Sequence, residues 1–347
     1  MNKINATIVA DSIDSNGNRL ISYIITIPQI IVKELLRHRM FSFSSSSMRA
    51  IPFLKTLQDI KENMFIPLAF QKHHNGMQGN DYLQDLDFEI AKKKWIEIGL
   101  KACDEAEQLY NLGVTKQICS RIIEPFGYAK ILVTATEFDN FFELRCPKYL
   151  IGEFRSKKDA IKFANTIAPG RLPDIEDTLA WLKASQSSAE IHIQALAEAM
   201  WDARNESTPK QLKPGEWHIP FGDQMDPSML HFLSYDGDHQ TEEELKKAII
   251  SNKLKIAVAR CARLSYMTFD GEINYEKDIA LHDQLLASKH ASPFEHVARC
   301  MTNNEFNQFV KGWREEDKGF DWLKKESLGW CNNLRGFIPY RYIIENK

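Results

Sequence analysis

Apolar and polar positions alternate through residues 1–26 around Ser15-Asn16-Gly17-Asn18. Period-two alternation around an Asn-Gly pair predicts a β-hairpin. From Ile27 the spacing changes. Ile27-Pro28-Gln29-Ile30-Ile31-Val32-Lys33-Glu34-Leu35-Leu36 has apolar residues at helical intervals and proline in the first turn, predicting a helix that runs to about residue 39. Serine competes for backbone hydrogen bonds, so the run Ser44-Ser45-Ser46-Ser47 predicts a loop. Residues 86–112 form the strongest helical pattern, with Phe88, Ile90, Ala91, Trp95, Ile98, Ala102, Ala106 and Leu109 mostly on one face and Gly113 placed to cap the C-terminus.

Shorter helices are predicted from Thr115 to Ile123, stopped by Pro125, and from Thr136 to Leu144. Residues 150–187 are charged and mixed and contain Pro169-Gly170 and Pro173, which suggests an insertion. Ser188 to Asn205 is amphipathic, with Ile191, Leu196, Ala197, Met200 and Trp201 on its apolar side. Regular periodicity then fails from Ser207 to about Glu243, where Pro, Gly and Asp gather, so a long connector is expected. Helical patterns return at 242–263, leading into Leu264-Ser265-Tyr266, and at 275–289, ending at Lys289-His290. The pattern divides the chain into residues 1–206, a connector 207–243, and residues 244–347. No internal repeat is visible.

At 347 residues and 44% hydrophobic, the chain can bury one large core or two modest ones. A formal net charge of -3 and a pI of about 6.4 supply no basic field for nucleic acid. The apolar run from Ile21 to Ile31 contains Pro28 and Gln29 and is too short to span a membrane. Met1-Asn2-Lys3-Ile4-Asn5-Ala6 lacks the apolar core of a signal peptide. Cys103, Cys119, Cys146, Cys261, Cys300 and Cys331 are scattered, with no Cys-x-x-Cys pair. They are read as reduced thiols, and a cytoplasmic location is expected.

Two stretches concentrate chemistry. Arg37-His38-Arg39 stands at the end of the first predicted helix, where the dipole favours positive charge, and the hydroxyl run beyond it closes on Arg49. Hydroxyl and backbone donors beside arginines suit a phosphate, and a flexible polar loop after a basic helix end is the alternative. His290-Ala291-Ser292-Pro293-Phe294-Glu295-His296 puts two histidines and a glutamate within seven residues. The His-Glu-x-x-His spacing of a helical zinc site is absent, so no metal is expected, and a turn capped by histidines is the local alternative.

Both stretches resemble the flavin-dependent thymidylate synthases. Arg-His-Arg, seven residues, then Ser47 and Arg49 is the signature of that family, and the second stretch is similar to its His-x-(Ser/Thr)-Pro-Phe-Glu-His element. Ala259-Arg260-Cys261-Ala262-Arg263-Leu264-Ser265-Tyr266 resembles the Ala-Arg-x-Ser stretch that precedes this element. Gly113 through Arg121 and Pro125, with Asn140-Phe141-Phe142-Glu143-Leu144-Arg145, is similar to a third block. A fourth, Ala189-Glu190-Ile191-His192-Ile193-Gln194-Ala195-Leu196-Ala197, resembles the helix that normally follows directly, which makes residues 150–187 extra. The Pro-Phe-Glu-His element usually precedes Arg-His-Arg, so the order here resembles a circular permutation, with Lys213 to Pro220 bridging the ordinary ends. A phage-type branch with this order also carries stretches like Asn75-Gly76-Met77-Gln78 and Asn333-Leu334-Arg335-Gly336. Ser44-Ser45 replaces the common Asn-Glu, Glu34 replaces Gln, and Tyr149 stands where a histidine is frequent.

The resemblance implies an α+β fold with an antiparallel sheet and long helices, packed as one catalytic domain. It implies FAD as cofactor, dUMP as substrate, methylenetetrahydrofolate and NADPH as co-substrates, and a homo-oligomer with sites between subunits. Arg37, Ser46, Ser47, Arg49, Arg121 and Arg145 would bind the nucleotide, with Arg145 and Ser47 closest to the chemistry. His38, Arg39, Asn140, Ser265, His290 and Ser292 would face the flavin. Arg335 and Arg341 are either further phosphate or folate contacts or a basic tail. No cysteine stands in a nucleophile motif, although Cys146 adjoins Arg145. The rival readings are a related enzyme making another C5-modified pyrimidine nucleotide, such as a hydroxymethyl product, and a non-catalytic nucleotide- or nucleic-acid-binding protein.

Overall fold

The computed structural model describes residues 3–46, 51–75, 79, 81–167, 172–237, 240–264, 274–305 and 334–345. Strands β1 (Asn5–Ile13) and β2 (Arg19–Pro28) form the expected antiparallel hairpin. Its turn is built by Asp14, whose carboxylate accepts from the backbone N–H groups of Asn16 (2.9 Å) and Asn18 (2.8 Å) and from the Asn18 amide (2.7 Å). Gly17 takes the left-handed conformation there, at φ 86.

The helix expected from Ile27 is much shorter. Ile27 and Pro28 still belong to β2, a 3-10 turn covers Gln29–Ile31, and only Val32–Leu35 (α1) is α-helical. The alternation Ile21, Tyr23, Ile25, Ile27 buries one sheet face and extends the strand past the point where helical spacing begins. A second expectation also changes. Ser42–Ser45 form a strand, β3, that pairs with β4 (Tyr128–Ala135), so the first serines are not loop. The Phe-Ser-Phe-Ser alternation places Ser42 and Ser44 inward on a paired edge, and pairing outweighs serine's turn preference.

Helices α2 (Phe53–Asn63), α3 (Asp85–Asn111) and α4 (Lys116–Ile123) share a core of Phe53, Leu57, Ile60, Cys103, Ala106, Cys119 and Ile123. After β4 come α5 (Asp139–Arg145), α6 (Lys157–Ile167), α7 (Thr178–Ala184) and α8 (Ile191–Glu206). The described part of residues 150–187 folds as α6 and α7, which pack around Tyr149, Ala160 and Trp181. It is tied to α8 where the Lys157 N–H donates to Glu198 (2.6 Å) and the Trp201 indole donates to Asp159 (2.7 Å). The connector is more regular than its composition suggests. It holds β5 (Lys210–Gln211), β6 (Trp217–His218) and α9 (Pro227–Ser234), the last capped by Asp226. Helices α10 (Glu242–Arg263) and α11 (Tyr275–Ala287) follow, the first opened by a Thr241–Glu244 capping box. Strands β7 (Ala298–Cys300) and β8 (Phe337–Pro339) and a short helix, α12 (Tyr340–Glu345), complete the described chain.

The α+β class holds, but the main sheet is mixed. Its order is β3-β4-β2-β1-β5, with β5 parallel to β1 and the other pairs antiparallel. A second antiparallel sheet runs β6-β7-β8. One face of the main sheet packs Tyr23, Ile25, Ile131 and Val133 against Phe138, Phe141 and Phe142 at α5 and Ile193, Leu196 and Met200 of α8. Burying each phenyl ring there stabilises the fold by roughly 1.5–3 kcal/mol. The opposite face meets residues from the C-terminal half: Val9, Ile24 and Leu132 pack with Phe221, Cys261 and Leu264. Among the described residues, no helix is long and apolar enough to cross a membrane.

Candidate functional site

The main sheet brings two of the sequence-predicted residues into direct contact. His38 lies in the turn after α1, and Arg145 is the last residue of α5, where the helix dipole favours its charge. Arg145 Nε donates to His38 Nε2 at 3.2 Å. The imidazole is braced by Phe141, edge to face at 4.8 Å between ring centroids, and by Phe41, stacked at 5.8 Å. Burial and the adjoining guanidinium push His38 down to about 4, so the ring is neutral at physiological pH. With Nε2 accepting from Arg145, its proton sits on Nδ1. Among the described residues, the terminal nitrogens of Arg145 have no hydrogen-bond partner.

Two carboxylates border this pair. Glu34, on α1, is held above its ordinary range by burial and by Glu190, against the pull of Arg145 and Arg37. Glu190 caps α8 by accepting from the N–H groups of His192 (2.8 Å) and Ile193 (3.1 Å). It also touches the His192 ring. The Leu68 N–H donates to His192 Nε2 at 3.0 Å, so His192 carries its proton on Nδ1 and donates to Glu190.

Arg37, Arg39 and Asn140 are exposed on the same turn and helix that hold the His38–Arg145 pair. Ser46 extends the β3–β4 pairing: its N–H donates to Lys130 O (2.9 Å) and its hydroxyl accepts from the Lys130 N–H (3.3 Å). The hydroxyl therefore keeps its own hydrogen, but the Ser46 N–H is committed. Arg121 is exposed on α4, within the helical layer, and no hydrogen bond links it to the pair among the described residues. Ser47, Arg49 and Ser265 lie outside the described residues.

The side chains of the His290–His296 stretch take different directions. His290 is exposed beyond α11 and bonds through Nδ1 to the Ser288 hydroxyl (2.8 Å). Glu295 pairs with Arg341, which also meets Glu345 at 3.0 Å. His296 turns inward. Ser292 stays at the surface over β3, with its hydroxyl 3.4 Å from both Phe43 O and Ser44 Oγ. Arg335 anchors its segment to the other half: its N–H donates to the Thr136 hydroxyl (3.0 Å) and its side chain pairs with Glu137 (3.3 Å).

Sequence reasoning missed a buried polar seam under this surface. His296 Nε2 lies 2.9 Å from Ser44 Oγ, and its Nδ1 is 2.8 Å from Thr134 Oγ1. Thr134 meets Ser22 at 2.7 Å. Ser22 meets His218 Nε2 at 2.9 Å, and His218 Nδ1 meets Ser12 at 2.9 Å. The signal was present as single hydroxyls, Ser22 and Thr134, in runs of otherwise apolar strand residues. Cys146, beside Arg145, is fully buried, and burial pushes its thiol far above the ordinary range.

No family model matches the chain, and no curated protein matches its sequence. Solved structures do match. A UMP/dUMP methylase PolB from Streptomyces cacaoi bound with 5-Br dUMP aligns at 14% identity and a TM-score of 0.37, over 54% of this chain and 66% of its own. The same enzyme bound with 5-Br UMP aligns at 14% identity and a TM-score of 0.39, over 59% of this chain and 90% of its own. The chain spans just under two thirds of the first of these structures. A likeness this distant assigns no role to any residue.

Proposed function

We propose that this chain is an FAD-dependent enzyme that methylates dUMP at C5 to give dTMP, using methylenetetrahydrofolate and NADPH. The observation that carries this reading is the Arg145–His38 pair. A guanidinium keeps its charge when partly buried, and here a neutral imidazole fixes it through Nε alone. The terminal nitrogens are left to grip an oxygen of the uracil ring and to stabilise negative charge as C5 becomes nucleophilic. The cationic turn Arg37–Arg39 supplies charge for the nucleotide phosphate, and by the family resemblance Ser47 and Arg49 join it.

The donor set also fits a flavin. Arg39 and His290 are exposed polar side chains suited to an anionic cofactor, and Ser292 lies against Phe43, which packs with Phe41. FAD, when bound, supplies hydride to the one-carbon unit. That division of labour agrees with the buried, protonated Cys146, since no protein nucleophile is required. A homo-oligomer with shared sites belongs to the same reading.

The test is the visible spectrum of the purified protein with FAD, followed by anaerobic titration with dUMP under NADPH. Flavin absorption whose reduction responds to dUMP supports the assignment. A protein that takes up neither FAD nor dUMP refutes it. Product analysis with the folate then separates methyl from hydroxymethyl transfer.

A further inference from the structure

The buried seam has a definite architecture. Ser22 and Thr134 face each other across β2 and β4, while Ser12 on β1 and Ser44 on β3 lie two residues along from the respective cross-strand partners. All four hydroxyls therefore share one sheet face. His218 and His296, both from the C-terminal half, each span a pair of them. The five links, in the order Ser12, His218, Ser22, Thr134, His296, Ser44, measure 2.9, 2.9, 2.7, 2.8 and 2.9 Å. The chain of contacts surfaces at Ser292, 3.4 Å beyond Ser44.

Burial holds His218 and His296 down to about 3, so both rings are neutral. A neutral imidazole has one N–H and one acceptor nitrogen, and a hydroxyl has one hydrogen. Such a chain is fully satisfied in only two ways. If every group donates toward Ser44, both rings carry the proton on Nε2. If every group donates toward Ser12, both carry it on Nδ1. With opposite tautomers, either the 2.7 Å Ser22–Thr134 contact has no hydrogen in it or one hydroxyl hydrogen is buried without a partner. At the open end, the Ser292 hydroxyl donates to Phe43 O, which leaves its oxygen to accept from Ser44. That selects the direction toward Ser44.

We infer that His218 and His296 share one tautomer, Nε2–H, and that through Ser22, Thr134 and Ser44 they act as positioning residues that keep the Ser292 hydrogen on Phe43 O and so make Ser292 a hydrogen-bond acceptor toward the bound ligand. The acceptor role toward a ligand rests on the flavin and nucleotide reading above, whereas the shared tautomer does not. His218 thereby influences the site from five hydrogen bonds away without touching it. A donor group, such as a ring or amide N–H, is favoured at Ser292 over an acceptor.

The test is long-range proton–nitrogen NMR of the histidine side chains in the full-length, ligand-free protein at neutral pH. The expected result is a protonated Nε2 and an unprotonated Nδ1 on both rings. Ser44→Ala removes the acceptor of the His296 N–H, and the His218 nitrogen shifts are expected to move although Ser44 does not touch that ring. Thr134→Val, which cuts the chain in the middle, gives a second variant should the first fail to fold. Opposite tautomers, Nδ1–H on both rings, or His218 shifts unmoved in the folded variants overturn the inference. Titrating the same sample with dUMP and FAD tests the functional reading separately: paired Nε2–H tautomers with no binding refute the function and leave the seam standing.

Discussion

Arg145 combines permanent charge with a single fixed contact, which makes it separable from the fold. Arg145→Lys keeps a positive charge but loses the Nε donor to His38 and the planar fork. With a charged hydrogen bond contributing about 1.5–3 kcal/mol, dUMP binding should weaken roughly 10- to 100-fold in calorimetry while circular dichroism stays unchanged. Affinity within error of the parent would remove Arg145 from the nucleotide site. Cys146→Ala is the complementary test. Its thiol is buried and protonated, so turnover should stay within about threefold even though core packing is lost. Abolished turnover in a folded variant would restore a thiol mechanism. Individual residues were legible in proportion to their local context. His38 and Arg145 stood in recognisable stretches, whereas His218 and Thr134 gain their meaning only from partners more than 110 residues away.

At the level of elements, local pattern decided where helices were read correctly. The helical spacing through Trp95 and Ala106 gives α3 at almost the expected bounds, because its apolar stripe follows a 3.6-residue period. β3 was not legible, since the pairing of Ser44 with Leu132 is non-local and overrides serine's preference for turns. The connector hid β6 and α9 for the same reason: short elements held by distant neighbours leave little periodicity. Two element-level tests follow from specific contacts. Gly336 has φ 79, and a β-carbon there would fall 2.3 Å from Asp14 Oδ2, against the hairpin turn. Gly336→Ala should therefore lower stability by about 1–3 kcal/mol in urea unfolding. An unchanged midpoint would mean the segment does not close on the hairpin. Glu198→Ala removes the carboxylate that receives the α6 N-terminus. Hydrogen exchange in residues 157–167 should then rise at least about fivefold, for a lost cap worth ~1 kcal/mol or more, with the main sheet still protected.

Across the whole molecule, the neutral histidines set the response to acid. His38 sits at about 4 and His218 and His296 at about 3, against an ordinary 6.5. These pKa values are depressed, so the unfolded chain binds more protons than the folded one below the ordinary value. Their contribution is complete above pH about 6.5 and is lost as the pH falls toward 3. Unfolding free energy measured in urea should decline across that window, and His296→Gln should remove about one proton from the slope. A slope unchanged by that variant would show that His296 is not buried neutral. The seam also bears on how the chain is made. Ser22, Thr134 and Ser44 leave the ribosome long before their rings, since His218 follows Ser22 by 196 residues and His296 follows Ser44 by 252. In the interval, the hydroxyls on that face of the sheet hydrogen-bond to water and to each other rather than to the histidines. A product that stops before His296 lacks the ring that bridges Thr134 and Ser44, and leaves that end of the sheet face to water.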